Sequence, residues 1–129
     1  ALYDWARRHA DSIAFSGSEK PAMHAHITLA GGAATLFSVW AYARQPKAEV
    51  PLMYLRGVPP YDQRAQRVQV VERLNTLLPP GERLAPDRAD RLPAIPLAGA
   101  LDDADRQAAF LALMAEMAAA LRAGQTGGA

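Results

Sequence analysis

The hydrophobic and polar positions of this chain follow two patterns, one with the two-residue period of a strand and one with the longer period of a helix. The segment 22–29 is the clearest strand, because apolar side chains alternate with His24, His26 and Thr28. Alternation or bulky apolar composition predicts strands at Ser12–Ser16, Ala22–Leu29, Ala34–Ala43 and Glu49–Arg56. Helical spacing predicts helices at Leu2–Ala10, Asp62–Leu78 and Asp103–Ala123.

The residues between these segments favour antiparallel connections. Gly31-Gly32 fits a tight hairpin turn between the second and third strands. Pro51 predicts that the fourth strand is bulged or lies at an edge, since proline has no N–H to donate to a neighbouring strand. Asp62 is the predicted N-cap of the second helix, and Pro93–Leu97 is extended and a candidate for a further short strand. The predicted fold class is α+β, an antiparallel three- to four-stranded meander with three helices packed mainly on one face.

Length and composition indicate a single domain at residues 1–123, followed by a flexible glycine-containing tail at 124–129. Because the first helix starts at Leu2 without a lead-in, we expect an accessory domain of a larger protein. Without cysteine the chain has no disulfide and no thiolate nucleophile. No apolar run approaches the roughly 18 residues of a membrane helix, so we expect no membrane contact and a cytoplasmic location. A net charge of +1 gives no strong overall attraction to nucleic acid.

The sharpest local feature is the pair of histidines in the second predicted strand. A spacing of two places the imidazoles of His24 and His26 on one face, where they could bind a divalent metal or form an acid–base pair. The candidates for the third ligand that a metal requires are His9, Asp11, Glu19 and Glu49. The spacing selects none of these four, and a solvent-facing strand that happens to carry two histidines is the simpler interpretation.

A second candidate is an aromatic and basic face of the sheet, which would stack on bases and contact phosphates. The candidate binding residues of this face and of the adjoining hairpin turn are His24, His26, Trp40, Tyr42, Arg44, Lys47, Tyr54 and Arg56. The opposing interpretation buries Trp40 and Tyr54 under a helix, because exposed apolar patches are rare on globular domains. Arg64, Arg67 and Arg73 form a basic edge on the second helix, which we interpret as solvated surface.

Several kinds of catalytic site are missing from the sequence. Gly31-Gly32 lacks the downstream lysine of a phosphate-binding loop, and no G-x-S-x-G motif occurs. A metal-dependent nuclease needs a carboxylate–x–lysine pair, whereas Lys47-Ala48-Glu49 has the reverse order. We therefore assign no catalytic residue and no cofactor, and we favour a domain that is not an enzyme.

Five short blocks carry a resemblance to a known kind of domain. The blocks are Leu36–Trp40, Leu52–Arg56, Pro59–Asp62, Arg73–Asn75 and Leu92–Leu97. Together they resemble an uncharacterised bacterial α+β domain associated with predicted restriction-type and other nucleic-acid-acting proteins. The resemblance extends from Leu2 to Leu121, and its blocks are structural, so it implies no active-site residue. It implies an accessory domain of a larger bacterial protein that acts in recognition.

Three functions are consistent with these observations. The first is a non-catalytic recognition domain that binds nucleic acid through the sheet face and the hairpin turn. The second is a protein-interaction or assembly module that buries the Trp40 and Tyr54 face or an edge strand, with a homodimer formed through that edge. The third is a small metal-assisted hydrolase that uses His24 and His26.

Overall fold

The structure, a computed structural model, describes residues 2–16, 22–40 and 46–127. In chain order the elements are α1 (Leu2–His9), β1 (Ser12–Ser16), β2 (Ala22–Leu29), β3 (Gly32–Trp40), β4 (Lys47–Glu49), α2 (Arg64–Asn75), β5 (Ala94–Pro96) and α3 (Ala104–Gly127). Short 3-10 turns cover Leu52–Leu55, Pro80–Glu82 and Pro86–Asp90, and a π-helical turn covers Leu97–Leu101. The predicted α+β class is confirmed.

The strands form one antiparallel sheet in which their spatial order equals their order in the chain. The prediction of three to four strands is slightly wrong, because Ala94–Pro96 adds a fifth strand that pairs with β4. This strand also makes β4 an interior strand, so the edge position predicted for it is wrong. Among the described strands, β1 and β5 form the two edges of the sheet.

The fourth predicted strand, Glu49–Arg56, is also corrected. Pairing ends at Glu49, and the chain turns at Pro51 into the 3-10 turn Leu52–Leu55. Proline removes one backbone donor at this point, and the next amide, of Leu52, donates to the carbonyl of Val50 rather than to a neighbouring strand. The turn buries Leu52 and Leu55 and leaves the two side chains between them exposed.

The core lies between one face of the sheet and the helices α1 and α3. Phe37 of β3 is fully buried, with its ring centroid 5.9 Å from that of Trp5 in α1 and 5.7 Å from that of Phe110 in α3. Ala25 and Ile27 of β2 are fully buried on the same face, as the alternation of this strand predicts. Helix α2 packs beside α3 and against the 3-10 turn Pro86–Asp90. The histidine side of β2 therefore lies opposite the core.

Three helix ends differ from the prediction by two residues or more. Helix α2 begins at Arg64, so its N-cap is Gln63 rather than Asp62, and α2 ends at Asn75. Helix α3 continues through Gly124 to Gly127, which means that Gly124 is not its C-cap and that the predicted tail begins inside the helix. A Cβ atom at Gly124 would lie 2.5 Å from the carbonyl oxygen of Pro59, so this helix position requires glycine. None of the helices within the described ranges combines the length and apolar character required to cross a bilayer.

The basic edge of α2 is only partly solvated. Arg64 and Arg73 are exposed as predicted, whereas Arg67 is 5% exposed. Its guanidinium donates to the backbone carbonyls of Tyr61 (2.7 Å) and Ala89 (3.0 Å) and to the carboxylate of Asp90 (2.8 Å). The interpretation of Arg67 as solvated surface is wrong because two backbone acceptors and a carboxylate satisfy its buried donors.

Candidate functional site

The candidate site lies on the sheet face opposite α1 and α3, which we call the histidine face. It is formed by His24 and His26 of β2, Ser38 and Trp40 of β3, and Glu49 of β4. Directly opposed residues of antiparallel strands share a face, and the register pairs His24 with Ser38 and Ser38 with Glu49. These three side chains therefore form a row that crosses three strands.

A β-bulge in β3 determines which residue faces the second histidine. The register between β2 and β3 shifts after Ala25, which pairs with Phe37, so that His26 pairs with Thr35 and Leu36 is the additional residue. Leu36 is fully buried instead of sharing the face of Trp40, which simple alternation of β3 predicts. The bulge thus brings a hydroxyl rather than an aliphatic side chain next to His26.

Each histidine is held by a hydroxyl group on β3. The Nδ1 atom of His24 lies 2.6 Å from Oγ of Ser38, and Nδ1 of His26 lies 3.1 Å from Oγ1 of Thr35. The two imidazole rings are stacked, with centroids 6.2 Å apart. The rings of His24 and Trp40 meet edge to face, with centroids 5.5 Å apart. These contacts fix the orientation of both rings on the sheet.

Burial favours the neutral forms of two groups on this face, His24 and Glu49. Desolvation, with a smaller contribution from the charge of His26, lowers the pKa of His24 below its usual 6.5. Desolvation also raises the pKa of Glu49 above its usual 4.5, and the approach of the Trp40 indole partly offsets this shift. At neutral pH His24 is therefore an uncharged group that can both donate and accept hydrogen bonds.

The histidine face contains a cleft of about 450 Å³. It is lined by His24, Thr35, Ser38, Trp40, Glu49, Pro51, Tyr54 and Leu92. Trp40 is half-buried and Tyr54 is 68% exposed, so the interpretation that a helix buries Tyr54 is wrong. Backbone hydrogen bonds from Val50 to Pro93 and from Met53 to Arg91 hold the two chain segments that form this side of the cleft.

The remaining predicted binding residues are only partly brought to this cleft. Lys47 is directly opposite Trp40 in the register of β3 and β4 and is half-buried on the same face. Arg56 directly follows the turn that carries Tyr54 and is exposed. Tyr42 and Arg44 lie outside the described residues.

The arrangement does not assemble a metal site from the candidates that the structure describes. Within residues 2–16, 22–40 and 46–127, no three His, Cys, Asp or Glu side chains are grouped so that they could hold a metal ion. Asp11 accepts a hydrogen bond from the amide of Thr28 and forms an ion pair with Arg122, and His9 lies against the ring of Trp5. Glu19 lies outside the described residues.

The row formed by His24, Ser38 and Glu49 has the residue types of a hydrolytic triad but a different order. In a triad the imidazole lies between the hydroxyl and the carboxylate. The carboxylate orients the imidazole, and the imidazole takes a proton from the hydroxyl. Here the hydroxyl lies in the middle of the row, and Ser38 is only 3% exposed, so its oxygen is poorly placed to attack a substrate. The geometry favours binding over nucleophilic catalysis.

Four residues that line this cleft are missing from the sequence-based candidates: Thr35, Ser38, Pro51 and Leu92. Ser38 is two positions from Trp40, so the strand period alone is sufficient to place it on the same face. Thr35 requires knowledge of the bulge, and Leu92 requires the pairing of distant segments. Neither of these leaves a local signal in the sequence.

Comparison with protein-family models, with curated proteins and with solved structures gives no match to this chain. The resemblance based on the five sequence blocks therefore stays a prediction.

Proposed function

We propose that this chain is a non-catalytic recognition domain that binds single-stranded nucleic acid on its histidine face. The observation that carries the proposal is the exposed ring of Tyr54 beside Trp40 and His24 at the edge of a cleft of about 450 Å³. This volume lies within the roughly 300–1,000 Å³ that is usual for ligand sites. Stacking on an aromatic ring contributes about 1–3 kcal/mol per base and tolerates any base.

Polar and charged groups around the cleft support the same ligand. Glu49 is half-buried and offers a hydrogen-bonding group inside the cleft, and such groups contact the edges of unpaired bases. Lys47 lies opposite Trp40 in the register of β3 and β4, and Arg56 is two positions after Tyr54. Both are cations, and cations contact phosphates. A single strand fits this arrangement better than a duplex, because the bases of a duplex are already stacked on each other.

The test is fluorescence anisotropy with labelled single-stranded DNA and RNA oligonucleotides at low salt. We expect Tyr54→Ala to weaken binding by roughly 5- to 150-fold, which corresponds to the loss of about 1–3 kcal/mol of stacking. Met53→Ala is the matched control, because Met53 lies in the same turn and is 37% exposed but does not line the cleft. It should bind as the unchanged chain does.

A salt titration adds a second readout for the same surface. Neutralisation of Arg56 by Arg56→Gln should reduce the slope of log affinity against log salt by about one if this side chain contacts a phosphate. Absence of binding to every single-stranded probe at low salt, or equal losses for Tyr54→Ala and Met53→Ala, would exclude the proposal.

A further inference from the structure

The edge strand β1 is unusually free of the features that protect sheet edges. Its residues Ser12–Ser16 contain no charge and no proline, and no other described strand pairs with its outer side. Natural edge strands are usually short, or carry lysine, proline or a bulge, which discourages pairing with a second chain. The opposite edge follows this rule, since β5 is three residues long and contains Pro96.

An exposed aromatic patch adjoins the edge of β1 on the core side of the sheet. Phe15 is 69% exposed, and its ring centroid lies 6.1 Å from the ring of Tyr3 in α1, which is 45% exposed. The guanidinium of Arg7 lies 5.7 Å from the centroid of the Tyr3 ring at the rim of this patch. Large exposed apolar side chains next to an unpaired strand edge indicate an interaction surface.

The sequence of β1 is nearly symmetrical about its central residue. When two copies are aligned antiparallel with Ala14 opposite Ala14, each Ser12 lies opposite Ser16 and each Ile13 lies opposite Phe15. All five residues are paired in this register, and a shift by two residues leaves fewer of them paired. In a dimer with two-fold symmetry, when Ile13 of one copy contacts Phe15 of the second, Phe15 of the first copy must also contact Ile13 of the second. This register satisfies that condition.

We infer that β1 is a homodimerisation edge, at which a second copy of this chain adds its own β1 antiparallel to form a continuous ten-stranded sheet. The Ile13 and Phe15 side chains then pack against each other across the dimer on the core side, next to Tyr3. The two-fold axis is perpendicular to the sheet, so both histidine faces lie on the same side. Because five residue pairs form a short interface, the dimer exists in a concentration-dependent equilibrium with the monomer.

The register is tested by engineered cysteines, since the chain has no cysteine of its own. In the inferred dimer the two Cβ atoms at position 14 are about 4.5–5.5 Å apart, close enough for a disulfide after a small adjustment. Ala14→Cys should therefore form a covalent dimer under mild oxidation with diamide. Ser12→Cys is the matched control on the same exposed strand, because the four-residue offset separates its two copies by about 14 Å. Equal cross-linking of both variants would overturn the register and the inference.

The interface is tested by sedimentation equilibrium without any nucleic acid, so the result is independent of the proposed ligand. We expect the mass to rise with concentration towards twice the 13.9 kDa of the chain. Phe15→Lys should remain at the monomer mass, while Tyr54→Lys, which changes an equally exposed aromatic ring on the other face, should dimerise as the unchanged chain does. Circular dichroism checks that both variants are folded. A monomer at all concentrations, or an unchanged dimer in Phe15→Lys, would overturn the inference.

Discussion

Replacement of Arg67 by methionine should destabilise the fold far more than the same change at Arg64, although both arginines contact Asp90. Arg67 is 5% exposed and joins α2 to Tyr61 and to the 3-10 turn Pro86–Asp90 through three hydrogen bonds. The Arg64 side chain is 56% exposed and has a single 3.3 Å contact with the same carboxylate. Methionine keeps most of the aliphatic packing but removes every donor.

The magnitude follows from the acceptors that are left behind. Ala89 is fully buried and Tyr61 is 6% exposed, so water replaces the lost guanidinium poorly at their carbonyl groups. An unsatisfied buried acceptor costs about 1–3 kcal/mol, and the side chain of methionine recovers part of the packing. We therefore expect Arg67→Met to lower the free energy of unfolding by about 2–4 kcal/mol. The Arg64→Met change should have a much smaller effect, since exposed ion pairs contribute little.

Urea denaturation followed by circular dichroism measures this difference. With a urea dependence of about 2 kcal/mol per molar, a loss of about 3 kcal/mol moves the midpoint down by roughly 1.5 M. Amide exchange in the segment 86–92 should accelerate in Arg67→Met, because this segment loses its attachment to α2. If the two variants had the same midpoint, the three hydrogen bonds of Arg67 would not stabilise the fold and the argument from burial would be wrong.

Two further predictions concern the packing of α3 and the response of the fold to pH. Gly124→Ala should lower the free energy of unfolding by about 1–3 kcal/mol, because the new Cβ meets the Pro59 carbonyl, whereas Gly81→Ala has open space around it and should not clash; equal urea midpoints would contradict this. The lowered pKa of His24 means that the unfolded chain binds more protons than the folded chain near and below pH 6.5. The free energy of unfolding therefore falls as the pH drops below 6.5, and His24→Gln should reduce this loss between pH 7.5 and 5.5. The raised pKa of Glu49 acts in the opposite direction, with stability rising as the pH falls towards 4.5, so Glu49→Gln should remove that gain. Urea melts between pH 7.5 and 4.5 that show the same pH dependence in both variants as in the unchanged chain would refute the pH argument.

The elements with a strict local pattern are the ones that the sequence predicts well. Strand β2 has the predicted bounds and buries Met23, Ala25 and Ile27 on one side, with Leu29 partly buried, because alternation is a direct consequence of the extended backbone. The hairpin between β2 and β3 is also confirmed, but its two turn residues are Ala30 and Gly31, one position before the predicted pair. Gly32 is the first residue of β3 and has a φ of 128°, a conformation that favours glycine. Both features depend only on residues that are close in the chain.

Features that depend on distant partners are the ones that the sequence does not predict. Arg67 resembles Arg64 and Arg73 in its local pattern, and only the carbonyls of Tyr61 and Ala89 explain its burial. The bulge at Leu36 is fixed by the pairing of β3 with β2, not by a local turn residue. Helix α3 continues past Gly124. Glycine is needed at this position because the carbonyl of Pro59 leaves no room for a Cβ atom, a reason that is unrelated to helix termination.

The incorrect prediction of a long fourth strand and the existence of the cleft have the same physical origin. If β4 continued to Arg56, Tyr54 would be one of several side chains on an extended strand and would not form a side of the cleft. Because the chain instead turns at Pro51, Leu52 and Leu55 enter the core and Tyr54 is left exposed beside the strand that it follows. Pro51 itself lines the cleft next to Glu49. Because proline has no backbone donor, the pairing of β4 ends before Pro51, and the turn that follows places an aromatic ring at the site where we propose that a base stacks.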